Sequence, residues 1–66
     1  RHKLETAIEQ LPPKGREAFT LSYLHDMKNK EIAQAMNISV RTVDAHIYNA
    51  LKQLRAKLQL ADINSD

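Results

Sequence analysis

Apolar residues recur along this chain at intervals of three and four, the period of a helix with one buried face. Leu4, Ile8 and Leu11, with Ala7 alongside, predict a short first helix ending near Gln10. Pro12 stops it, and Pro13 suits the first turn of a second helix. That helix is predicted over 13–25, with Ala18, Phe19, Leu21 and Leu24 giving it a broad apolar surface. Gly15 falls in its first turn, where glycine costs least. Asp26 is expected to end it in a left-handed conformation. A third helix is predicted over 28–36, with Ile32, Ala35 and Met36 facing inward. A fourth starts after Ser39, and its expected buried stripe is Val40, Val43, Ile47, Ala50, Leu51, Leu54 and Leu58. One glycine and two prolines leave little room for sheet and turn. The tail over 61–66 is polar and is expected to fray. The fold class read from this pattern is all-α, four helices with no sheet.

The junction between the third and fourth helices carries the most specific signal. Residues 29–54 read NKEIAQAMNISVRTVDAHIYNALKQL. Ala33 falls where two helices must nearly touch, so a small side chain is required. Asn37 follows four residues later, where a left-handed residue must end the helix, and Asn tolerates that conformation well. Ile38 plugs the turn. Ser39 is an N-cap for the next helix. Val43 then locks that helix onto Ile32 and Met36. These requirements, met together at fixed offsets, define a helix-turn-helix whose second helix is a long recognition helix.

Composition narrows the possibilities. Sixty-six residues make at most one domain, taken here as 1–66, and the missing initial Met suggests excision from a longer chain. With no cysteine, neither a disulfide framework nor a thiolate metal site is available. No apolar run reaches membrane-spanning length and no signal-peptide pattern opens the chain, so a cytoplasmic protein is expected. The formal charge is only +2. Its distribution matters more: over 39–58 the basic residues Arg41, Lys52, Arg55 and Lys57 face only one acidic residue, Asp44. The positive field is local.

Each residue turns a helix by about 100°. With Val43, Ile47 and Leu54 inward, the opposite side of the fourth helix presents Arg41, Ala45, Tyr48, Asn49 and Lys52, flanked by Thr42 and Asp44. An α-helix fits the DNA major groove and usually reads bases with its N-terminal turns. Arg41 is suited to a bidentate contact with guanine and Asn49 to one with adenine. Ala45 lets the helix sit deep and offers a methyl to thymine. Asp44 is suited to accept from cytosine or to steady Arg41. Thr42, Tyr48 and Lys52 are suited to phosphates. A polar stripe alone is ordinarily a solvated face; the turn motif is what favours DNA. Catalytic readings fail. His25 and His46 lie on different helices without a zinc-ligand pattern. Glu17 and Glu31 form no acid–base pair, and Glu31 fits the positive end of its helix. Ser22 and Ser39 lack a general base, and no Gly-rich phosphate loop is present. No enzyme, metal or cofactor is expected, and His46 reads as a boundary residue.

The run 11–19, LPPKGREAF, then Lys30-Glu31-Ile32-Ala33, then Ile38-Ser39-Val40-Arg41-Thr42-Val43, then Leu51-Lys52-Gln53-Leu54-Arg55, resembles region 4 of bacterial sigma factors, most closely the extracytoplasmic-function group. The resemblance covers 4–58. It implies a four-helix, winged-helix-like domain that reads the promoter −35 element in the cytoplasm. It also implies docking on the β flap of RNA polymerase, an anti-sigma factor as a further partner, and a region 2 upstream. Base and backbone contacts map onto Arg41, Thr42, Asp44, Ala45, Tyr48 and Asn49, and phosphate contacts at the start of the third helix onto Lys28 and Asn29. With Ser39 and Lys52 these complete the candidate site. The chain departs from the family pattern at Asn29, where an aromatic is common, at Ser22 for an Arg, and at Asp26 for a Gly.

Two other readings stay open. LuxR-type output domains of response regulators share NKEIA and the IS-x-RTV-x-x-H run, His46 included. Against this, the spacer from Arg16-Glu17 to Lys30-Glu31 is one residue longer and the opening is Leu-Pro-Pro. A helical protein-interaction module that does not touch DNA is supported by the low net charge.

Overall fold

A computed structural model of the chain describes the backbone of residues 2–65 and the side chains of residues 4–57. It contains four helices, α1 (His2–Glu9), α2 (Pro13–Tyr23), α3 (Asn29–Met36) and α4 (Val40–Ser65), and no strand among the described residues. Helix α4 is the spine, and α1, α2 and α3 all pack against it.

The core has two lobes. In the first, Ala18 of α2, Ile32 and Ala33 of α3 and Val43 of α4 are buried, with Leu21, Met27, Met36, Ile38 and Ile47 packed around them. Ile32 and Val43 have no exposed surface at all, which places about 2 kcal/mol of apolar burial on each. In the second, Ala7 and Leu11 meet Phe19, Ala50 and Leu54, with Ile8 alongside. Neighbouring residues of α2, Ala18 and Phe19, therefore feed opposite lobes and join them. Gly15 is buried at the crossing of α2 over α4; a Cβ there would lie 3.9 Å from the His46 carbonyl oxygen, an ordinary contact.

Helix α3 ends as the sequence predicts. Asn37 is left-handed at φ 58°, ψ 47°. The Ile38 N–H donates to Ala33 O at 2.9 Å and the Asn37 N–H to Gln34 O at 3.3 Å, the paired bonds of a Schellman motif. The same geometry buries Ala33 and tucks Ile38 under the turn. Asp26 is also left-handed, at φ 54°, but α2 stops at Tyr23, earlier than the predicted residue 25. The loop folds back through a bond from the Met27 N–H to Leu21 O at 3.1 Å.

Four side chains depart from the predicted burial. Ala35 is exposed, because the inward face of α3 is centred between Ile32, Ala33 and Met36 and Ala35 lies more than a quarter-turn away. Leu24, just past the end of α2, is 65% exposed, since it is rotated about 140° from Phe19. Val40 and Leu51 are 43% and 44% exposed at the edge of the α4 stripe, on the same flank of Val43 and Ala50. Leu58 and the tail side chains lie outside the described residues, while the backbone of α4 is helical to Ser65.

Candidate nucleic-acid interface

Helix α4 emerges from the turn through a capped first turn. Ser39 Oγ accepts the Thr42 backbone N–H at 3.0 Å, and the Val43 N–H donates to Ser39 O at 3.0 Å. Ser39 is therefore the N-cap that its position predicts. Its Oγ also lies 2.8 Å from Thr42 Oγ1. Either hydroxyl can donate in this contact. Thr42 is half-buried by this arrangement, so it adjoins the face of α4 and does not stand at its centre.

Beyond the cap, Arg41, Ala45, Tyr48, Asn49 and Lys52 are all exposed, as the helical phase requires with Val43 fully buried. Tyr48, 67% exposed, rises from the middle of this face. Arg55 extends the basic character one turn further. Such a surface offers a fork of N–H donors at Arg41, an amide at Asn49, a point charge at Lys52 and a low centre at Ala45.

Asp44 has a different partner from the two expected. Asn29 Nδ2 donates to Asp44 Oδ1 at 2.5 Å, tying the first residue of α3 to the second turn of α4. Asp44 therefore steadies Asn29, and no ion pair joins it to Arg41 among the described residues. Asn29, assigned to phosphate from the sequence, has part of its amide committed to this bond and is half-buried. Lys28 stands beside it, exposed at the N-cap of α3. The Lys28 N–H donates to Glu31 Oε1 at 2.9 Å. This is one half of a capping box, because a lysine side chain has no acceptor with which to complete the other half. Glu31 thus satisfies a backbone donor as well as facing the positive helix end.

A shallow groove flanks the α4 face where α2 begins. Pro12, Pro13, Lys14 and Gly15 line one wall and His46, Asn49, Ala50 and Gln53 the other. It places Lys14 across from Asn49 and gives half-buried His46 its boundary position. Nothing local in the sequence signals the Lys14–Asn49 juxtaposition, which depends on α2 crossing α4 at Gly15. Among the described residues no cluster of three His, Asp or Glu side chains could hold a metal ion. No described helix is long and apolar enough to cross a membrane.

Sequence comparison places the chain among known proteins. The tetrathionate response regulatory protein TtrR of Salmonella typhimurium is 39% identical over 56 residues, 85% of this chain and 27% of that protein. RNA polymerase sigma factor SigV of Bacillus subtilis is 31% identical over 61 residues, 92% of this chain and 37% of its own length. RNA polymerase sigma-E factor of Streptomyces antibioticus is 32% identical over 65 residues, 98% of this chain and 36% of its own. The chain thus spans about a quarter to a third of these relatives. The family model for sigma-70 region 4 matches residues 1–54, which takes in α1 to α3, the turn and the N-terminal part of α4. The chain belongs to the sigma-70 region 4 family.

Proposed function

We propose that this chain is the promoter −35-reading part of an RNA polymerase sigma factor of the extracytoplasmic-function group, acting in the cytoplasm to direct transcription initiation. The observation that carries the reading is a coincidence. The sigma-70 region 4 match runs through the same turn motif that leaves Arg41, Ala45, Asn49 and Lys52 together on the outer face of α4. In this reading α4 lies in the major groove, Arg41 and Asn49 take base edges, and Lys52, Thr42, Tyr48 and Lys28 take phosphates. The partners are promoter DNA, the polymerase core through its β flap, and an anti-sigma factor. No catalytic group is assigned; the chemistry is recognition.

The test is fluorescence anisotropy with labelled duplexes carrying candidate −35 sequences and scrambled controls, read against salt. A promoter preference whose affinity falls steeply with salt is expected. Equal and salt-insensitive binding to all duplexes, or none at low salt, overturns the reading. A second reading, the output domain of a response regulator, is favoured by the 39% identity to TtrR. Both readings use the same face of α4, so the gene upstream decides. A helical domain for the −10 element identifies a sigma factor, and a phosphoacceptor domain identifies a response regulator.

A further inference from the structure

Asp44 is the anomaly of the α4 face, an anion on a surface otherwise suited to phosphates. Its helical phase puts it about 100° from Val43, on the side of α4 that turns toward α3. There it accepts the Asn29 Nδ2–H at 2.5 Å. Asn29 is the first residue of α3, directly after the Lys28 N-cap, so the bond links the head of one helix to the flank of the other. Other links among the described residues are the turn at Asn37–Ser39 and the apolar contact of Ile32 and Ala33 with Val43, with Met27, Met36 and Ile47 packed against it. Those fix the far end of α3 and its middle, while the Asn29–Asp44 bond fixes its head. Lys28 and the free backbone N–H groups of the first turn of α3 stand at that head, where an anion is favoured.

We infer that Asp44 sets DNA specificity without touching a base: its carboxylate latches Asn29 and fixes the angle at which the head of α3 meets the sugar–phosphate backbone relative to α4. The same negative charge disfavours loose electrostatic binding to arbitrary DNA, so that only a duplex allowing both helices to seat is held well. The inference rests on the DNA-binding reading above for its consequence, but the latch itself does not.

The test is a double-mutant cycle with Asn29→Ala and Asp44→Ala, joined by Asp44→Asn. In thermal unfolding of the chain, the two alanine substitutions should be coupled by at least about a twofold factor in the unfolding constant. Strict additivity there overturns the latch, whichever way DNA binding falls. On a preferred duplex, either alanine substitution opens the latch and should lose affinity, Asp44→Ala less than Asn29→Ala because it also removes a negative charge, and the double variant should match Asp44→Ala. Asp44→Asn keeps an oxygen acceptor for Asn29 and removes the charge. It should retain the preferred duplex, bind scrambled duplexes several-fold more tightly, and steepen the slope of log K against log salt by about 0.9, the value of one more net phosphate neutralised. A base-pair scan separates the alternative: if Asp44→Ala abolishes preference at one base pair and leaves scrambled DNA untouched, Asp44 reads that base directly and the inference is wrong. Failure of the wild-type chain to prefer any duplex would count against the proposed function, and the unfolding cycle would still decide the latch.

Discussion

Arg41 and Lys52 are both exposed cations on one face of α4, and in the proposed DNA-binding reading their positions give them different work. Arg41 lies in the first turn, beside the Ser39 cap, where a recognition helix meets base edges. Lys52 lies three turns on. Arg41→Ala is expected to cost about 1–3 kcal/mol at the preferred site and to relax base preference at one position. Lys52→Ala is expected to weaken all sequences alike and to flatten the salt dependence by about one unit of slope. Anisotropy against a panel of single base-pair variants measures both. Equal loss on every sequence for Arg41→Ala would make it a phosphate contact.

Two further residues act through the backbone. Ala33 is 5% exposed and packs with Val43 in the turn motif. Ala33→Leu should overpack that contact and cost about 1–3 kcal/mol, read as a lowered melting temperature. An unchanged melting temperature would show that the helices do not press together there. Asn37, at φ 58°, is where a glycine would carry no steric penalty. Asn37→Gly is therefore expected to be neutral or slightly stabilising in the same measurement. Ser39 offers a third case: Ser39→Ala removes the oxygen that accepts the Thr42 N–H and should cost about 0.5–2 kcal/mol.

At the scale of elements, what was legible in the sequence was whatever local chemistry enforces. The Asn37 turn, the Ser39 cap, the Pro13 start and the Ile32–Ala33–Val43 lock each follow from one residue's conformational or steric demand, and each is found in place. The exposed run of Arg41, Ala45, Tyr48, Asn49 and Lys52 follows directly once Val43 is fixed as buried. Periodicity did less well at the edges of a stripe. It cannot say how wide a neighbour's shadow falls, so the stripe takes in Val40 and Leu51 although that flank of α4 is partly open. Ala35 fits the inward pattern equally well because an alanine suits either face, and only the rotation of α3 against α4 decides. The contacts that tie distant residues were not legible at all. The Asn29–Asp44 bond, the hydrogen bond from Lys57 Nζ to Gln10 Oε1 at 2.5 Å, and the groove lined by Lys14 and Asn49 depend on the angles at which the helices pack.

For the whole molecule, the proposed reading gives the outer face of α4 to DNA and leaves the remaining surface for a protein partner. The apolar positions Leu4, Ile8, Leu11, Phe19 and Leu24 of the first two predicted helices are where such a face would be sought. The structure revises it: Leu11 and Phe19 are buried in the second lobe, Leu4 and Ile8 are half-buried, and Leu24 alone is fully available. Tyr23 joins Leu24, 60% and 65% exposed, with its ring stacked on Phe19 at 5.5 Å between centroids. An aromatic braced against the core beside an exposed leucine is the kind of apolar anchor that seats a partner helix. If the polymerase β flap is that partner, Tyr23→Ala with Leu24→Ala should weaken binding to a flap fragment at least tenfold and leave duplex affinity unchanged, because neither residue lies on the α4 face. If the proposed sigma-factor reading holds, the wild-type chain alone should hold promoter DNA only weakly, because linkage to further binding modules would supply added affinity. Separate titrations of labelled chain with flap fragment and with promoter duplex measure both halves. Flap affinity untouched by the double substitution would move the docking site elsewhere, and nanomolar binding of the isolated chain to promoter DNA without any flap binding would remove the polymerase from the account.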